Sequence, residues 1–344
     1  MNTSWTRRQL LRAAGALVLV PLLPMSARSA LSELTGRTMG TRYRVHIRNS
    51  TNGLYLPKLK QSIERELETT DRLLSTYRAG SELVRFNTAG TRWYAASPTT
   101  LRVLETALSV QYASGGAFNA AAAPLVDYWG FGPQPGYYAR NWTQVPHAVL
   151  SRVADAEIQI KPGYIRKHDR LAALDLNAIA KGDALDRVAT VLNSAGIVDY
   201  LVGIGGEIVA KGTGPDGSGW RIGIEDPNGG IRRTIRLDGQ AVATSGDYVN
   251  YFVRDGKRYS HILDPRSGRP VEHDLTLVSV VADTAMQADA WATALFVMGP
   301  DVGLQHAIQN AMAALFLQRM HGDLVEFATP AFQRFSLDTR GIAL

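Results

Sequence analysis

The sequence predicts an α+β fold whose core is a mixed, largely antiparallel sheet with flanking helices. Strand-forming segments follow one another directly between residues 200 and 263, whereas the amphipathic helices lie in separate groups before and after them. A doubly wound parallel sheet would instead alternate strands with helices. The dipeptide Asp255-Gly256, between two strand-like segments, is a turn signal of antiparallel hairpins.

The N-terminal half contains one clear strand pattern and three helix patterns. Apolar and polar residues alternate along Thr41–Arg48, which predicts a half-buried strand. Ser97-Pro98 supplies an N-cap and a first-turn proline, and Gly196 suits the left-handed position after a helix. The stretch from Trp129 to Gln144 is rich in glycine, proline and aromatic residues and is interpreted as a long ordered loop. The predicted helices are Leu59–Leu74, Pro98–Ser114 and Lys181–Ala195.

The C-terminal half contains mostly short strand patterns. Thr284 and Gln287 form a capping-box pattern that predicts a helix over Thr284–Val297, and a further helix is expected over Val302–Gln309. His321-Gly322-Asp323 is interpreted as the centre of a last strand pair. The predicted strands before these elements are Tyr200–Ile204, Glu207–Lys211, Trp220–Glu225, Ile231–Leu237, Tyr248–Arg254, Arg258–Leu263 and Thr276–Val281.

Residues 1–29 are interpreted as a twin-arginine signal peptide. Arg7-Arg8 precedes an apolar run of about 11 residues, which is too short for a spanning helix and is followed by small residues. The chain has no cysteine, which excludes a lipid-anchored lipoprotein, a disulfide framework and a cysteine-based zinc site. We therefore expect a soluble periplasmic protein, with an uncleaved N-terminal anchor as the alternative. Residues 30–344 are expected to form one domain with a weak internal boundary near 140–170.

The distribution of charge argues against a nucleic-acid or polysaccharide binder. The formal net charge is +6, but four of the 37 basic residues lie in residues 1–29, which hold no acidic residue. The remaining 33 basic residues therefore face 31 acidic ones. A nearly neutral chain without a basic face interleaved with aromatic residues lacks the features that bind nucleic acid.

The segment from Gly212 to Gly217 matches the pattern G-x-G-x-x-G, but its surroundings do not suit dinucleotide binding. That motif holds a pyrophosphate only where a strand precedes it and a helix N-terminus follows it. Here Pro215 and the predicted strand Trp220–Glu225 follow. The segment is therefore interpreted as a hairpin loop.

Four short clusters contain residue types that carry chemistry, and each also has a structural explanation. Asp175–Gly182 places an acid and a lysine around a predicted strand-to-helix junction, where they can simply form a solvated cap. Gly205-Gly206 allows close approach of another group, or forms a tight turn. Ala243–Tyr248 can cradle a phosphate or cap a turn. His261 lies at a strand end, where a lone histidine is more often a packing residue.

A fifth cluster lies on an otherwise apolar helix. Asp289 and Thr293 are four residues apart and therefore share one helix face. A carboxylate directed into a core requires a partner, because an unpaired buried charge is very costly. An oxygen-seeking cation such as Mg²⁺ would satisfy both side chains, and internal hydrogen bonds are the alternative.

Taken in order, these clusters resemble the ApbE family, the FAD:protein FMN transferases that attach FMN covalently to partner proteins. The resemblance extends from about residue 36 to about residue 300 and implies an FAD cleft between two subdomains. The motifs that carry it are Met39-Gly40-Thr41, Ser75-Thr76-Tyr77, Ser81–Asn87, Gly116–Asn119, Trp129–Pro133, Asp175–Gly182, Gly205-Gly206, Ala243–Tyr248, Ser260–Pro265, Ser267-Gly268 and Ala288–Leu295.

The resemblance also implies roles for individual residues. Mg²⁺ would be held by the side chains of Asp289 and Thr293 and by the main-chain carbonyl of Ala178. His261 would be the base that deprotonates the acceptor threonine, whose hydroxyl attacks the FMN-side phosphorus of FAD and releases AMP. Histidine suits that role because its reference pKa is ~6.5. The implied FAD contacts are Met39, Tyr77, Ala117, Phe118, Asn119, Asp175, Lys181 and Leu263.

Two segments depart from the family pattern. Asn119-Ala120-Ala121 stands where the family has Asp-Pro-Thr, which removes a carboxylate and a hydroxyl near the flavin. Asn177-Ala178 replaces a Gly-Gly pair, a change that leaves a carbonyl ligand available. The alternatives are an FAD-binding module without transfer, or a Mg²⁺-dependent FAD pyrophosphatase in which water replaces the hydroxyl. The expected partner is a flavoprotein with an exposed threonine or serine, such as a redox-complex subunit or a membrane flavoprotein.

Overall fold

The computed structural model describes residues 31–48, 55–133, 145–248 and 250–337. The strands in these residues are β1 (Leu31–Thr38), β2 (Thr41–Arg48), β3 (Tyr94–Ala95), β4 (Ile158–Lys161), β5 (Tyr164–Lys167), β6 (Tyr200–Ile204), β7 (Glu207–Lys211), β8 (Trp220–Glu225), β9 (Ile231–Leu237), β10 (Gln240–Gly246), β11 (Tyr251–Arg254), β12 (Lys257–Ser260), β13 (Leu263–Asp264), β14 (Arg269–Pro270), β15 (Leu275–Ala282), β16 (Ala313–Met320) and β17 (Asp323–Ala328). The helices are α1 (Leu56–Leu74), α2 (Glu82–Thr88), α3 (Pro98–Ala113), α4 (Ala123–Tyr128), α5 (His147–Ala154), α6 (Asn177–Ser194), α7 (Ala285–Met298), α8 (Pro300–Gln309) and α9 (Pro330–Gln333).

Eight of these strands form one sheet in the order β1-β2-β6-β7-β10-β15-β16-β17. Every neighbouring pair in it is antiparallel. The other strands form a small sheet, β3-β5-β4, and three hairpins, β8–β9, β11–β12 and β13–β14. The predicted α+β class with an antiparallel sheet is therefore confirmed.

Both faces of the large sheet are covered. On one face, α1 and α6 pack on β2 and β6, so that Ile63 and Val188 contact the same core as Val45 and Val202. On the other face, the β8–β9 hairpin covers the central strands with Trp220. Burial from both sides explains why β15 is a nearly continuous apolar run instead of an alternating one.

A second core lies beside the sheet. It joins the end of α1 to α2 and α3 through Leu74, Phe86 and Leu104. The first turn of α6 and the inner face of α7 contribute Ile179 and Ala290 to the same core. The helices α6 and α7 therefore belong to both parts of the protein and connect the sheet to the helical segment.

The contact between α6 and α7 is unusually close at Gly182. A Cβ atom at this position would lie 2.3 Å from the carbonyl oxygen of Ala285, so only glycine fits there. Four residues further along α6, the carboxylate of Asp186 accepts hydrogen bonds from the backbone N–H groups of Ala285 and Met286, at 2.8 and 3.0 Å. These contacts fix the first turn of α7 against α6.

Most predicted elements lie where the sequence places them. β2, β6, β7, β8 and β9 have their predicted bounds. The Ser97 hydroxyl caps α3 by accepting from the N–H of Thr100, and Asp255 and Gly256 both have positive φ in the β11–β12 turn. The G-x-G-x-x-G segment is followed by strand β8, and an antiparallel bridge between Thr213 and Gly219 closes it into a loop.

Several boundaries differ from the prediction. β1, β10 and α2 are not predicted from the sequence. α6 begins at Asn177 instead of Lys181, and the residues immediately before it have no regular structure, so the predicted strand-to-helix junction is wrong. The strand predicted to begin at Tyr248 begins at Tyr251, and the segment Arg258–Leu263 is interrupted at His261.

Some predictions concern residues that the structure does not describe. The signal peptide over residues 1–29 lies outside the described residues, as does the predicted loop beyond Pro133, up to Gln144. The domain bounds stay predictions. Among the helices that are described, none combines the length and the apolar character needed to cross a membrane.

Candidate active site

A cavity of about 340 Å³ lies where the ends of α6, α7 and the sheet meet the segments 117–122 and 261–265. Apart from Met39, every residue predicted to bind FAD or metal, or to act as the base, lines it. These residues are Tyr77, Ala117, Phe118, Asn119, Asp175, Ala178, Lys181, His261, Leu263, Asp289 and Thr293. The fold thus brings together residues that are up to 216 positions apart in the sequence, and their individual roles stay predictions.

Met39 lies in the turn between β1 and β2, outside the residues that line the cavity. Its backbone has a positive φ of 45°, and its side chain packs against both the sheet core and the helical core. This packing gives Met39 a structural role at the junction of the two cores. Its predicted contact with FAD stays a prediction.

Asp289 on α7 is buried, with only 4% of its surface exposed, and it has two partners. Its Oδ2 accepts a hydrogen bond from the backbone N–H of Gly182 at 3.1 Å, and its Oδ1 lies 3.5 Å from Nζ of Lys181. The internal hydrogen bond that the sequence left as an alternative to a cation is therefore present.

Glu207 is a site residue that the sequence analysis does not identify. It begins β7 directly after Gly205-Gly206, is 4% exposed, and pairs with the ammonium of Lys181. Its second oxygen, Oε2, is buried and has no hydrogen-bond partner among the described residues. An acid at the start of a strand, followed directly by three apolar residues, is the signal that points to it.

The lysine between these two acids cannot neutralise both. Burial works against the charged form of Lys181, but the carboxylates of Asp289 and Glu207 outweigh it and raise the pKa of Lys181. Burial raises the pKa of Glu207 to about 7, and that of Asp175 to about 6. With three acids and one lysine among its described lining residues, the cavity carries an excess of negative charge when the acids are ionised.

Hydroxyl groups from β10 complete the wall opposite Asp289. The Oγ of Ser245 lies 3.1 Å from Oγ1 of Thr293, and Thr244 pairs in the same way with Ser279 at 2.7 Å. The segment Ala243–Tyr248 is thus mainly the end of a strand, with the Ser245 hydroxyl facing α7 and the Thr244 hydroxyl facing β15. Ser245 and Thr293 both line the cavity.

The oxygen atoms around Asp289 suit a hard divalent cation. In a regular helix the N–H of Gly182 faces the carbonyl of Ala178, four residues earlier. The same N–H donates to Asp289, so the Ala178 carbonyl and the Asp289 carboxylate are both neighbours of this group. The part of the chain that the structure describes has no group of three His, Cys, Asp or Glu that could hold a metal. A cation here would therefore need mixed carboxylate, hydroxyl and carbonyl ligands, which Mg²⁺ accepts.

His261 is held in one orientation by the carbonyl oxygen of Asn250. This oxygen lies 2.9 Å from Nδ1 of the ring and 3.1 Å from the backbone nitrogen of His261. A carbonyl oxygen only accepts, so Nδ1 carries the proton and Nε2 keeps its lone pair. Burial, opposed by the hydrogen bond to Asn250 and reinforced by the charge of Lys181, lowers the pKa of His261 to about 4. The ring is therefore neutral at pH 7 and can accept a proton.

Tyr77 provides a flat surface at the mouth of the cavity. Its hydroxyl donates to the carbonyl oxygen of Phe131 at 2.9 Å, which fixes the ring, while 57% of the residue stays exposed. An exposed but immobilised aromatic ring can stack on another planar ring.

The segment that departs from the family pattern is tied to the rest of the site. The Asn119 side chain donates to the carbonyl of Val153 at 3.2 Å and accepts from the N–H of Ala121 at 2.8 Å. The carbonyl of Ala120 accepts from the N–H of Asp175 at 2.8 Å. Asn119 therefore closes a tight turn that helps to position Asp175.

The chain is similar to one family of known proteins along most of its length. The model of the ApbE family matches residues 39–316. A protein of Escherichia coli K12 named FAD:protein FMN transferase is 32% identical over 355 residues, which cover 97% of this chain and 98% of that protein. A protein of the same name from Vibrio cholerae is 37% identical over 306 residues, which cover 88% and 92%. The solved structure of flavin transferase ApbE from Vibrio cholerae has a TM-score of 0.80 at 36% identity and covers 89% of this chain and 99% of that one.

Proposed function

The chain belongs to the ApbE family and is a transferase, and from that premise we propose that it transfers FMN from FAD to a hydroxyl group of a partner protein. One observation carries the proposal. The same cavity holds a neutral histidine with a free lone pair and two buried acids that a single lysine cannot neutralise. Such a site can accept a proton and attract a cation, the two requirements of this phosphoryl transfer.

In the proposed reaction a threonine or serine hydroxyl of the acceptor attacks the FMN-side phosphorus of FAD. The new bond joins that oxygen to phosphorus, and the bond between phosphorus and the bridging oxygen breaks. AMP leaves with the bridging oxygen and its electron pair. The hydroxyl proton goes to Nε2 of His261, whose Nδ1 is held by the carbonyl of Asn250.

The metal proposed here is Mg²⁺, held by the Asp289 carboxylate, the Thr293 hydroxyl and the Ala178 carbonyl. When bound, it would neutralise charge on the pyrophosphate of FAD. The acidic lining supports this proposal, because without a cation the anionic pyrophosphate would meet the carboxylates of Asp175, Glu207 and Asp289. Lys181, held between two of these acids, adds a fixed positive charge near the leaving phosphate.

The FAD contacts are proposed from the lining of the cavity. The Tyr77 ring offers the stacking surface for the flavin, and Ala117, Phe118 and Leu263 supply apolar contacts. The first turn of α6, at Asn177 and Ala178, lines the same cavity, and the N–H of Asn177 donates to the Asp175 carboxylate at 2.8 Å. A helix N-terminus favours an anion, so this turn suits the pyrophosphate.

The acceptor is proposed to be an exported or membrane-bound flavoprotein, because the N-terminal sequence resembles a twin-arginine signal peptide. This part of the proposal rests on the sequence alone. The signal is tested by fusing residues 1–40 to a reporter that is active only in the periplasm. Replacing Arg7-Arg8 with two lysines should abolish reporter export.

The central experiment mixes residues 30–344 with FAD, Mg²⁺ and a threonine-bearing domain of a protein that carries covalent FMN. After denaturation, in-gel flavin fluorescence and intact mass should show an adduct of FMN mass that requires Mg²⁺. The acceptor with its threonine replaced by valine is the control and should stay unlabelled. Free FMN and AMP without an adduct would instead indicate a pyrophosphatase, and intact FAD would indicate a binding module.

A further inference from the structure

Two exposed arginines face each other in the β1–β2 hairpin without an acidic partner. Arg37 and Arg42 are directly paired across the two strands. Like charges at directly opposite positions destabilise a strand pair, so the hairpin itself gives no reason for them. Among the described residues neither guanidinium has a hydrogen bond or ion pair, and the remaining segments of the chain contain a single acidic residue, Asp338.

A second cross-strand arginine pair differs in having an acidic residue nearby. Arg221 and Arg236 are directly opposite in the β8–β9 hairpin and are also exposed. Asp216 lies close to them. The Ser218 hydroxyl lowers the pKa of Asp216 most, and the charges of Arg236 and Arg221 lower it further. Among the described residues no acidic side chain interacts with Arg37 or Arg42 in this way, so their charge is available to a ligand.

A groove of about 410 Å³ connects Arg42 to the catalytic cavity. Arg42 and Arg44 line the groove, and Gly205 and Glu207 line both the groove and the cavity. The backbone of Gly203, Gly205 and Gly206 forms part of its wall without side chains, so a polypeptide can approach closely there. Arg44 is already paired with Glu33 at 2.9 Å, and the unpaired charge therefore comes from Arg42 and its neighbour Arg37. We call this surface the arginine groove.

An acceptor polypeptide must cross the rim of the cavity on both sides of its reacting hydroxyl. Asp175 and Asp289 line the cavity but not the groove and repel acidic side chains there, whereas Glu207 lines both regions and is paired with Lys181. A segment that leaves the cavity over Gly205-Gly206 enters the arginine groove, where acidic side chains meet unpaired guanidinium groups. The charges of the two regions therefore favour binding of an acidic flanking segment in the groove and not in the cavity.

We propose that the arginine groove binds acidic residues of the acceptor protein that flank the hydroxyl receiving FMN. This inference rests on the proposed function, because only a transferase has an acceptor. Arg37 and Arg42 do not line the catalytic cavity, so their effect is on acceptor binding and not on FAD.

The test measures peptide binding in the absence of FAD. Two dye-labelled peptides of equal length carry one threonine each, flanked by aspartate and glutamate in one and by asparagine and glutamine in the other. Fluorescence anisotropy with residues 30–344 should give about tenfold tighter binding of the acidic peptide at low salt. The preference should shrink as the salt concentration rises toward about 0.3 M, because exposed charges are screened.

Matched variants locate the effect. R37Q combined with R42Q should abolish the preference, and R37E combined with R42E should reverse it in favour of a lysine-flanked peptide. R221Q combined with R236Q removes an equally exposed cross-strand pair and should leave the preference unchanged. FAD affinity, followed by quenching of flavin fluorescence, should be the same in all of these proteins.

Three results would overturn the inference. The first is equal binding of the acidic and neutral peptides by the wild type, including no binding of either. The second is an equal loss in the Arg221/Arg236 variant, which would indicate a non-specific charge effect. The third is weaker FAD binding in the Arg37/Arg42 variant, which would assign the arginines to FAD. Because the peptide-binding assay contains no FAD, its outcome is independent of whether FMN transfer occurs.

Discussion

The backbone N–H of Gly182 donates a hydrogen bond to Oδ2 of Asp289 across 3.1 Å. This bond joins α6, which carries Ala178 and Lys181, to α7, which carries Asp289 and Thr293. It depends on the absence of a side chain at residue 182, since a Cβ would lie 2.3 Å from the carbonyl oxygen of Ala285. The close approach of these two helices therefore sets the geometry of the proposed metal site.

We expect Gly182→Ala to separate α6 from α7 and to disrupt this site. The added methyl group meets backbone atoms of α7, which cannot move aside as a flexible side chain can. Overpacking of this kind costs about 1–3 kcal/mol, and thermal unfolding should show the loss. Gly90→Ala is the control, because a Cβ there meets open space. Equal melting temperatures for the two variants would contradict the prediction.

Asp186 is expected to fix the position of α7 as well as to cap it. Its carboxylate accepts from the N–H groups of Ala285 and Met286, whereas the hydroxyl of Thr284 caps the same helix from within by accepting from Gln287. Asp186→Ala and Thr284→Ala should each lower the free energy of unfolding by about 1 kcal/mol.

The two caps differ in what they do to the site. Only Asp186→Ala removes a bond between α6 and α7, so only this variant should bind Mg²⁺ more weakly, measured by calorimetry without FAD. If Thr284→Ala weakens Mg²⁺ binding as much for the same loss of stability, Asp186 acts only as a cap.

Asp289→Asn should abolish Mg²⁺ dependence and FMN transfer together. The amide oxygen can still accept from Gly182, so the helices stay joined, but the negative charge that attracts the cation is lost. We expect Mg²⁺ affinity to fall by at least about tenfold, as it does when groups around a metal are altered. Asp283→Asn, at an exposed position before α7, is the control. Full activity of the wild type in EDTA would refute a metal role.

His261→Ala should retain FAD binding and lose FMN transfer. Removing a general base costs on the order of 100-fold or more in rate. The loss should appear in the rate of adduct formation at saturating FAD and acceptor, with unchanged quenching of flavin fluorescence. His168 is exposed and directly follows β5 of the small sheet, so His168→Ala should behave like the wild type. Unchanged labelling by His261→Ala would exclude its role as the base.

His261 should also make the folded protein less stable in acid. Its pKa is about 4 in the folded protein, because burial disfavours the charged ring, and 6.5 is its usual value. The folded state therefore binds fewer protons than the unfolded chain between these pH values. The resulting stability is present above pH 6.5 and is lost as the pH falls through about 4.

Comparison with a variant isolates this effect from other titrating groups. Asp175 and Glu207 have raised pKa values and act in the opposite direction. The free energy of unfolding, measured by urea denaturation, should fall more steeply between pH 6.5 and 4 for the wild type than for His261→Gln. Parallel curves would show that burial does not lower the pKa of His261.

The sequence by itself determined the fold class, the bounds of β2, β6, β7, β8 and β9, and many of the residues around the cavity. Alternation along Thr41–Arg48 and the cap at Ser97-Pro98 are local signals, and local signals are readable because each depends on neighbours in the chain. The missed strand β10 shows where local signals mislead. Thr244 and Ser245, near its end, are residue types that also favour turns, and the partners of their hydroxyls, on β15 and α7, are distant in the sequence.

Only the tertiary structure decided how these residues act on one another. The sequence does not reveal that Lys181 lies between Glu207 and Asp289, since burial and pairing arise when α6, β7 and α7 meet. Nor does it reveal that Asn250 orients His261 or that Met39 lies outside the cavity lining. Charge states depend on distance and solvent exclusion across elements far apart in the chain, and packing alone sets both.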